Sequence, residues 1–189
     1  MQHYFRSGKK DTDKCYKFID KDIGYINLRT ITTKDIPVIK KEFINTKGII
    51  IDIRNYPPDI IDVLASYFVS GITPYARHTR GNPDNPGEFV FTPAFELPES
   101  EEYYQGKLVV IVNEVTLSNA EYTAIAFRAG DHTTIIGSAT AGADGNVSEI
   151  ILPGGLHSMF SGNGVYYPDG RETQRIGIEP DIEVKPTLK

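Results

Sequence analysis

The sequence predicts an α/β protein with a mostly parallel central sheet and a β-hairpin region toward its C-terminal end. Three observations carry this. The runs Ile49-Ile50-Ile51-Asp52-Ile53, Lys107-Leu108-Val109-Val110-Ile111-Val112 and Thr133 to Gly137 are short, rich in β-branched residues and largely apolar, as strands covered on both faces are. Helical spacing follows the first two of them, so strand and helix alternate along the middle of the chain. Later, Val147 to Leu152 and Leu156 to Phe160 flank Pro153-Gly154-Gly155 as the two arms of a hairpin would.

Taken in order, residues 1–14 form a polar N-terminal segment and residues 15–189 a single core domain, since 189 residues suffice for one hydrophobic core. Tyr16 to Ile19 and Gly24 to Leu28 read as two strands around the turn Asp20-Lys21-Asp22. Asp35 and Pro37 open an amphipathic helix carried by Ile36, Ile39, Lys40 and Phe43, and Asn45-Thr46-Lys47-Gly48 closes it, with the glycine as its C-terminal signal. After Pro57-Pro58, the positions Ile60, Ile61, Leu64 and Phe68 predict a second helix. From Gly71 to Gln105 the chain is rich in Pro, Gly and Glu and reads as a long insertion with one short strand at Glu88 to Phe91. The end, Gly177 to Val184, reads as an extended piece.

A net charge of −5 with scattered Lys and Arg gives no footprint for a nucleic-acid backbone. The one cysteine, Cys15, excludes an intrachain disulfide and a cysteine-based zinc site. His3, His78, His132 and His157 lack short metal-ligand spacing, so neither a metal nor another cofactor is expected. The first residues contain no apolar signal core, and no run of ~18 apolar residues occurs.

Chemistry concentrates at Ser118. A strand ending at Val112 passes through Asn113-Glu114-Val115-Thr116 into a helix beginning Ser118-Asn119-Ala120-Glu121. The serine hydroxyl therefore stands at the positive end of a helix, among N–H groups that lack intrahelical acceptors and are able to stabilise an oxyanion. Ser followed three residues later by Glu is also the ordinary reciprocal capping box, so this segment alone leaves a nucleophile and a simple cap both open.

Four blocks in order, Ile50 to Asn55, Val112 to Glu121, Ile136 to Gly142 and Gly177 to Ile182, with a Leu-Pro-Gly-Gly hairpin at Leu152 to Gly155, resemble the C-terminal processing (tail-specific) serine peptidases, in particular their tricorn-core-like bacterial branch. The resemblance covers roughly residues 15 to 187. It implies the crotonase/Clp-protease-like spiral of β-β-α units, Ser118 as nucleophile, the Asn119 backbone amide as oxyanion donor, and peptide or protein substrates. It further implies an extracytoplasmic location and an upstream PDZ or other N-terminal domain.

By the same resemblance, Glu172 is the nearest match to an orienting carboxylate, with Gln174 beside it, and Tyr56 and Asp59 border the substrate groove. The family patterns are not all met. Ala143 stands where one branch has a catalytic lysine, Asn27 where the other has a histidine, and Tyr56-Pro57-Pro58 where relatives carry a glycine pair. An amide takes up no proton at useful pH and proline has no N–H to donate. The sequence expectation is thus a serine peptidase with an unidentified base, against the alternative of a protease-like scaffold that binds peptides without cutting them.

Overall fold

The structure, a computed structural model, describes residues 14–185. The N-terminal polar segment expected from the sequence therefore lies outside the described residues except for its last member.

Strands β1 (Tyr16–Asp20) and β2 (Ile23–Asn27) form the expected antiparallel hairpin. Helix α1 (Ile36–Phe43) follows and buries Ile36, Ile39 and Phe43, the same face that the spacing selected. Phe43 lies so closely over β2 that a Cβ on Gly24 would sit 2.6 Å from its ring, so glycine is required there. Gly48 does not cap α1 as expected. Ile44 ends the helix, and Gly48 opens β3 (Gly48–Asp52), where its amide joins the strand pairing. Helix α2 (Ile61–Ala65) is short and tightens into a 3₁₀ turn at Ser66–Phe68.

The insertion is more ordered than its composition suggested. It contains β4 (Thr73–Gly81), β5 (Phe89–Phe91) and β6 (Phe95–Leu97), and β4 pairs antiparallel with both of the others. Sequence periodicity missed β4 because it buries Tyr75 and Ala76 consecutively and includes Pro74, so neither alternation nor a clean apolar run marks it.

The repeat then resumes with β7 (Lys107–Val112), α3 (Asn119–Arg128) and β8 (Thr133–Gly137). β9 (Val147–Leu152) and β10 (Leu156–Ser161) form the hairpin read from the sequence, every residue of which is exposed. β11 (Val165–Tyr166) pairs with β4, and β12 (Ile182–Glu183) returns to the central sheet. That sheet has the order β1-β2-β3-β7-β8-β12, and all of its pairings except β1–β2 are parallel. Ile26, Ile49, Ile51, Leu108, Val110 and Ile135 form its buried side chains, with Ala120, Ala124 and Phe127 of α3 in the same core. In an open α/β sheet, ligands are met beyond the carboxyl ends of the strands. Here those ends deliver Asp52 from β3, Asn113 from β7 and the loop after Gly137 to a common edge.

Candidate active site

Ser118 occupies the junction between β7 and α3 with φ 52° and ψ −127°. Apart from Arg175, no other non-glycine residue among those described has positive φ. A β-carbon is strained in this conformation, by on the order of 1–3 kcal/mol, and a sharp strand-to-helix turn of this kind thrusts the side chain outward. The turn is tied down from within. Thr116 Oγ1 accepts the Asn113 N–H at 3.1 Å and donates to the Ile53 carbonyl at 3.3 Å, which fixes the end of β7 to the end of β3.

Ser118 and Glu121 are placed as a capping box, yet the serine hydroxyl makes no cap hydrogen bond. Its oxygen instead lies 3.4 Å from the Tyr56 hydroxyl, and the residue is half-buried rather than sealed. Asn119 is the first residue of α3, so its backbone N–H has no intrahelical acceptor. Its side-chain amide donates to the Pro57 carbonyl at 3.2 Å and thereby pins the 56–58 loop against the helix start. The loop offers no amides from Pro57 or Pro58, as the sequence indicated.

Glu121 does more than the sequence suggested. The side chain is 1% exposed, and its carboxylate accepts from Ser118 N–H at 3.2 Å, Gly142 N–H at 2.8 Å, Ala143 N–H at 2.9 Å and the Thr140 hydroxyl. One buried carboxylate thus clamps the loop after β8 onto the serine elbow. In return, the Ala143 carbonyl accepts the Ser118 N–H at 3.2 Å. Gly142 adopts φ +65°, and a Cβ there would come within 2.9 Å of the Arg175 backbone, so only glycine lets the 142–143 loop and the C-terminal turn pack this closely.

Two cavities are lined by residues that bond to the Ser118 backbone. A cleft of about 520 Å³ is walled by Ala143, Asp144, Tyr166, Glu172, Gln174 and Arg175, among others. A second, of about 500 Å³, is walled by Asp59, Asp62, Tyr75, Phe95, Glu96 and Tyr122. Ser118 lines neither but is joined to both: its N–H donates to Ala143, and its carbonyl accepts the Tyr122 N–H at 3.0 Å.

The sequence candidates distribute over this site as follows. Tyr56 stands at the serine hydroxyl, and Asp59 lines the second cavity. Glu172 lines the first cleft, where Arg175 Nη2 grips both of its oxygens at 2.7 and 2.8 Å. Gln174 donates to the carbonyls of Asp144 and Asn163. Asn27 accepts from Arg29 N–H and from the Asn55 amide. Asp52 forms a paired bond with Arg54 and accepts from the Tyr25 hydroxyl at 2.8 Å. Burial pushes the Asp52 carboxyl up, but these donors outweigh it and hold it below the usual range.

His157 is an exposed hairpin residue 2.9 Å from Glu149. His78, on β4, is half-buried against Phe95 and Tyr122, with ring centroids at 4.7 and 5.4 Å, and burial lowers its pKa. Sequence reading passed over Asp144. It is 6% exposed, its Oδ1 accepts the Gly145 N–H at 2.7 Å, and its Oδ2 is buried without a hydrogen-bond partner. Burial, reinforced by Glu121 and only partly offset by the Gly145 N–H, pushes its carboxyl up to about 7. No group of metal-binding side chains occurs among the described residues.

A largely parallel sheet ending in a strained serine elbow at a helix start defines an α/β fold, and the chain belongs to Peptidase family S41, whose model matches residues 22–184. Among curated proteins it is 28% identical over 194 residues to the carboxy-terminal-processing protease of Bartonella bacilliformis, covering 93% of this chain and 42% of that one. Among solved structures it resembles a candidate peptidase of Parabacteroides merdae (TM-score 0.80, 22% identity, 91% of this chain and 57% of that one). It also resembles the photosystem II D1 C-terminal processing protease (TM-score 0.64, 20% identity, 87% and 42%). The chain thus spans less than two thirds of the length of each. The likeness to the solved structures supports the mixed α/β fold with its largely parallel sheet.

Proposed function

We propose that this chain is the catalytic core of a serine peptidase that hydrolyses extended peptide segments through an acyl-enzyme on Ser118. The observation that carries this reading is the Ser118 hydroxyl: strained backbone presents it at the start of α3, half-buried and 3.4 Å from the Tyr56 hydroxyl. A plain capping serine would have no need of positive φ. The Asn119 N–H is the oxyanion donor in this reading, and the 56–59 loop borders the bound peptide. Kinship with a carboxy-terminal-processing protease supports protein or peptide substrates and an extracytoplasmic location for the whole protein. Among the described residues no helix is long and apolar enough to cross a membrane.

The reading is tested by incubating the full chain, and its Ser118→Ala variant, with a library of internally quenched extended peptides. Cleavage by the wild type, abolished by the substitution, is expected. Peptide affinity without turnover in either protein would replace the peptidase with the scaffold alternative.

A further inference from the structure

We propose that Asp144 is the proton acceptor for Ser118, taking the hydroxyl proton through one water molecule in the cleft as the serine oxygen attacks a peptide carbonyl. This rests on the reading of Ser118 as nucleophile and supplies the base which that reading lacks.

Asp144 directly follows Ala143, the residue whose carbonyl accepts the Ser118 N–H, so one peptide bond separates it from the nucleophile's own backbone partner. It also lines the same cleft as Ala143. Several bonds hold it there. Its carbonyl accepts from Gln174 Nε2 at 2.7 Å and from the Ser161 hydroxyl at 3.3 Å, while Oδ1 is taken by Gly145 N–H.

Oδ2, by contrast, has no hydrogen-bond partner. Leaving a buried carboxyl oxygen without a donor costs about 1–3 kcal/mol, more when charged. Such an atom is held ready for a proton or a donor that arrives with the reaction. Oδ2 makes no hydrogen bond to Ser118 Oγ, whose neighbour is Tyr56, and transfer through one water is an accepted arrangement for a general base.

Other charged or titratable groups surround Asp144. Glu121 and Tyr122 face it from α3, with Tyr75 and His78 behind Tyr122 on β4, and Glu172 and Arg175 share its cleft from the C-terminal turn. Burial and the nearby Glu121 lift its carboxyl to about 7, close to the working range of a base at neutral pH.

The step balances. As the Oγ–carbon bond forms, the Oγ–H proton passes to the water, a water proton passes to Oδ2, and the carbonyl electron pair moves onto its oxygen. On collapse the carbon–nitrogen bond breaks, and the proton held by Asp144 returns through the water to the leaving amine.

The test is the rate of labelling by a fluorophosphonate, measured from about pH 5 to 9 for the full chain and for Asp144→Asn, Ser118→Ala and His78→Gln. Wild type is expected to label with a single rise centred near pH 7. Asp144→Asn is expected to label at least about 100-fold more slowly, with that rise abolished. His78→Gln should keep it. Folding of each variant is followed by circular dichroism. If Asp144→Asn does not fold, the wild-type profile decides, and a flat profile between about pH 6 and 8 overturns the proposal. Unchanged rate and profile in folded Asp144→Asn, or a rise that disappears in His78→Gln instead, also overturns it while leaving Ser118 as nucleophile. No Ser118-dependent labelling of the wild type would overturn the peptidase reading itself.

Discussion

Glu121 accepts the backbone N–H of Ala143 at 2.9 Å with the same carboxylate oxygen that takes the Ser118 N–H at 3.2 Å. The helix that begins at the serine therefore sets the position of the loop opposite it. Glu121→Ala should leave four donors without this acceptor, two of them on the 142–143 loop. A loss of about 3–5 kcal/mol in urea unfolding is expected, as for other broken buried networks. Glu121→Gln keeps the volume but turns an N–H toward the same donors, so it should cost somewhat less and still slow any Ser118-dependent reaction.

Backbone strain at Ser118 gives a prediction of opposite sign. Glycine adopts φ 52° without a Cβ clash, so Ser118→Gly should stabilise the fold, or at worst leave it unchanged, because relief of about 1–3 kcal/mol outweighs the extra unfolded-state entropy of about 0.5–1 kcal/mol. Thermal melting would check this. A clear drop in Tm would mean that the serine conformation carries no strain.

Asp144 makes stability depend on pH in a defined direction. Its folded pKa of about 7 lies above the unfolded value of 3.8, so below about pH 4 both states hold the proton and the stability is fully present. As pH rises from there, the unfolded chain releases its proton first and stability falls until the folded group titrates near 7. The cumulative loss is on the order of 4 kcal/mol. Asp144→Asn should flatten this decline, read as a smaller fall in unfolding free energy between about pH 5 and 8 than in the wild type.

Asp52 works the other way. Its folded pKa is held below 3.8 despite burial, so it contributes stability above that value that is lost as pH falls through the folded pKa. Asp52→Asn should cost about 1–3 kcal/mol at neutral pH by weakening the bonds from Arg54 and Tyr25, and should make the chain less sensitive to acid. Urea titrations at pH 7 and at about pH 3 would measure both effects.

Much of this was legible in the sequence because local periodicity and burial agree. Ile36, Ile39 and Phe43 repeat every turn and are the residues that α1 buries, and the Ile-rich run became the parallel strand between β2 and β7. The strand-to-helix setting of Ser118 was legible too, since it is local. Glu121 as a clamp and Asp144 as a buried carboxyl were not, because their roles come from contacts made about twenty residues apart once the loop after β8 folds back. Gly48 misled because a glycine after a helix and a glycine opening a strand look alike until the strand partner is known.

The most direct measurement is intact-mass spectrometry of the full chain after fluorophosphonate treatment, with peptide mapping of the product. One adduct per chain, located on Ser118 and lost in Ser118→Ala, is the predicted result. No adduct on a folded wild-type chain, or an adduct that persists when Ser118 is replaced, would contradict the assignment of Ser118 as the nucleophile.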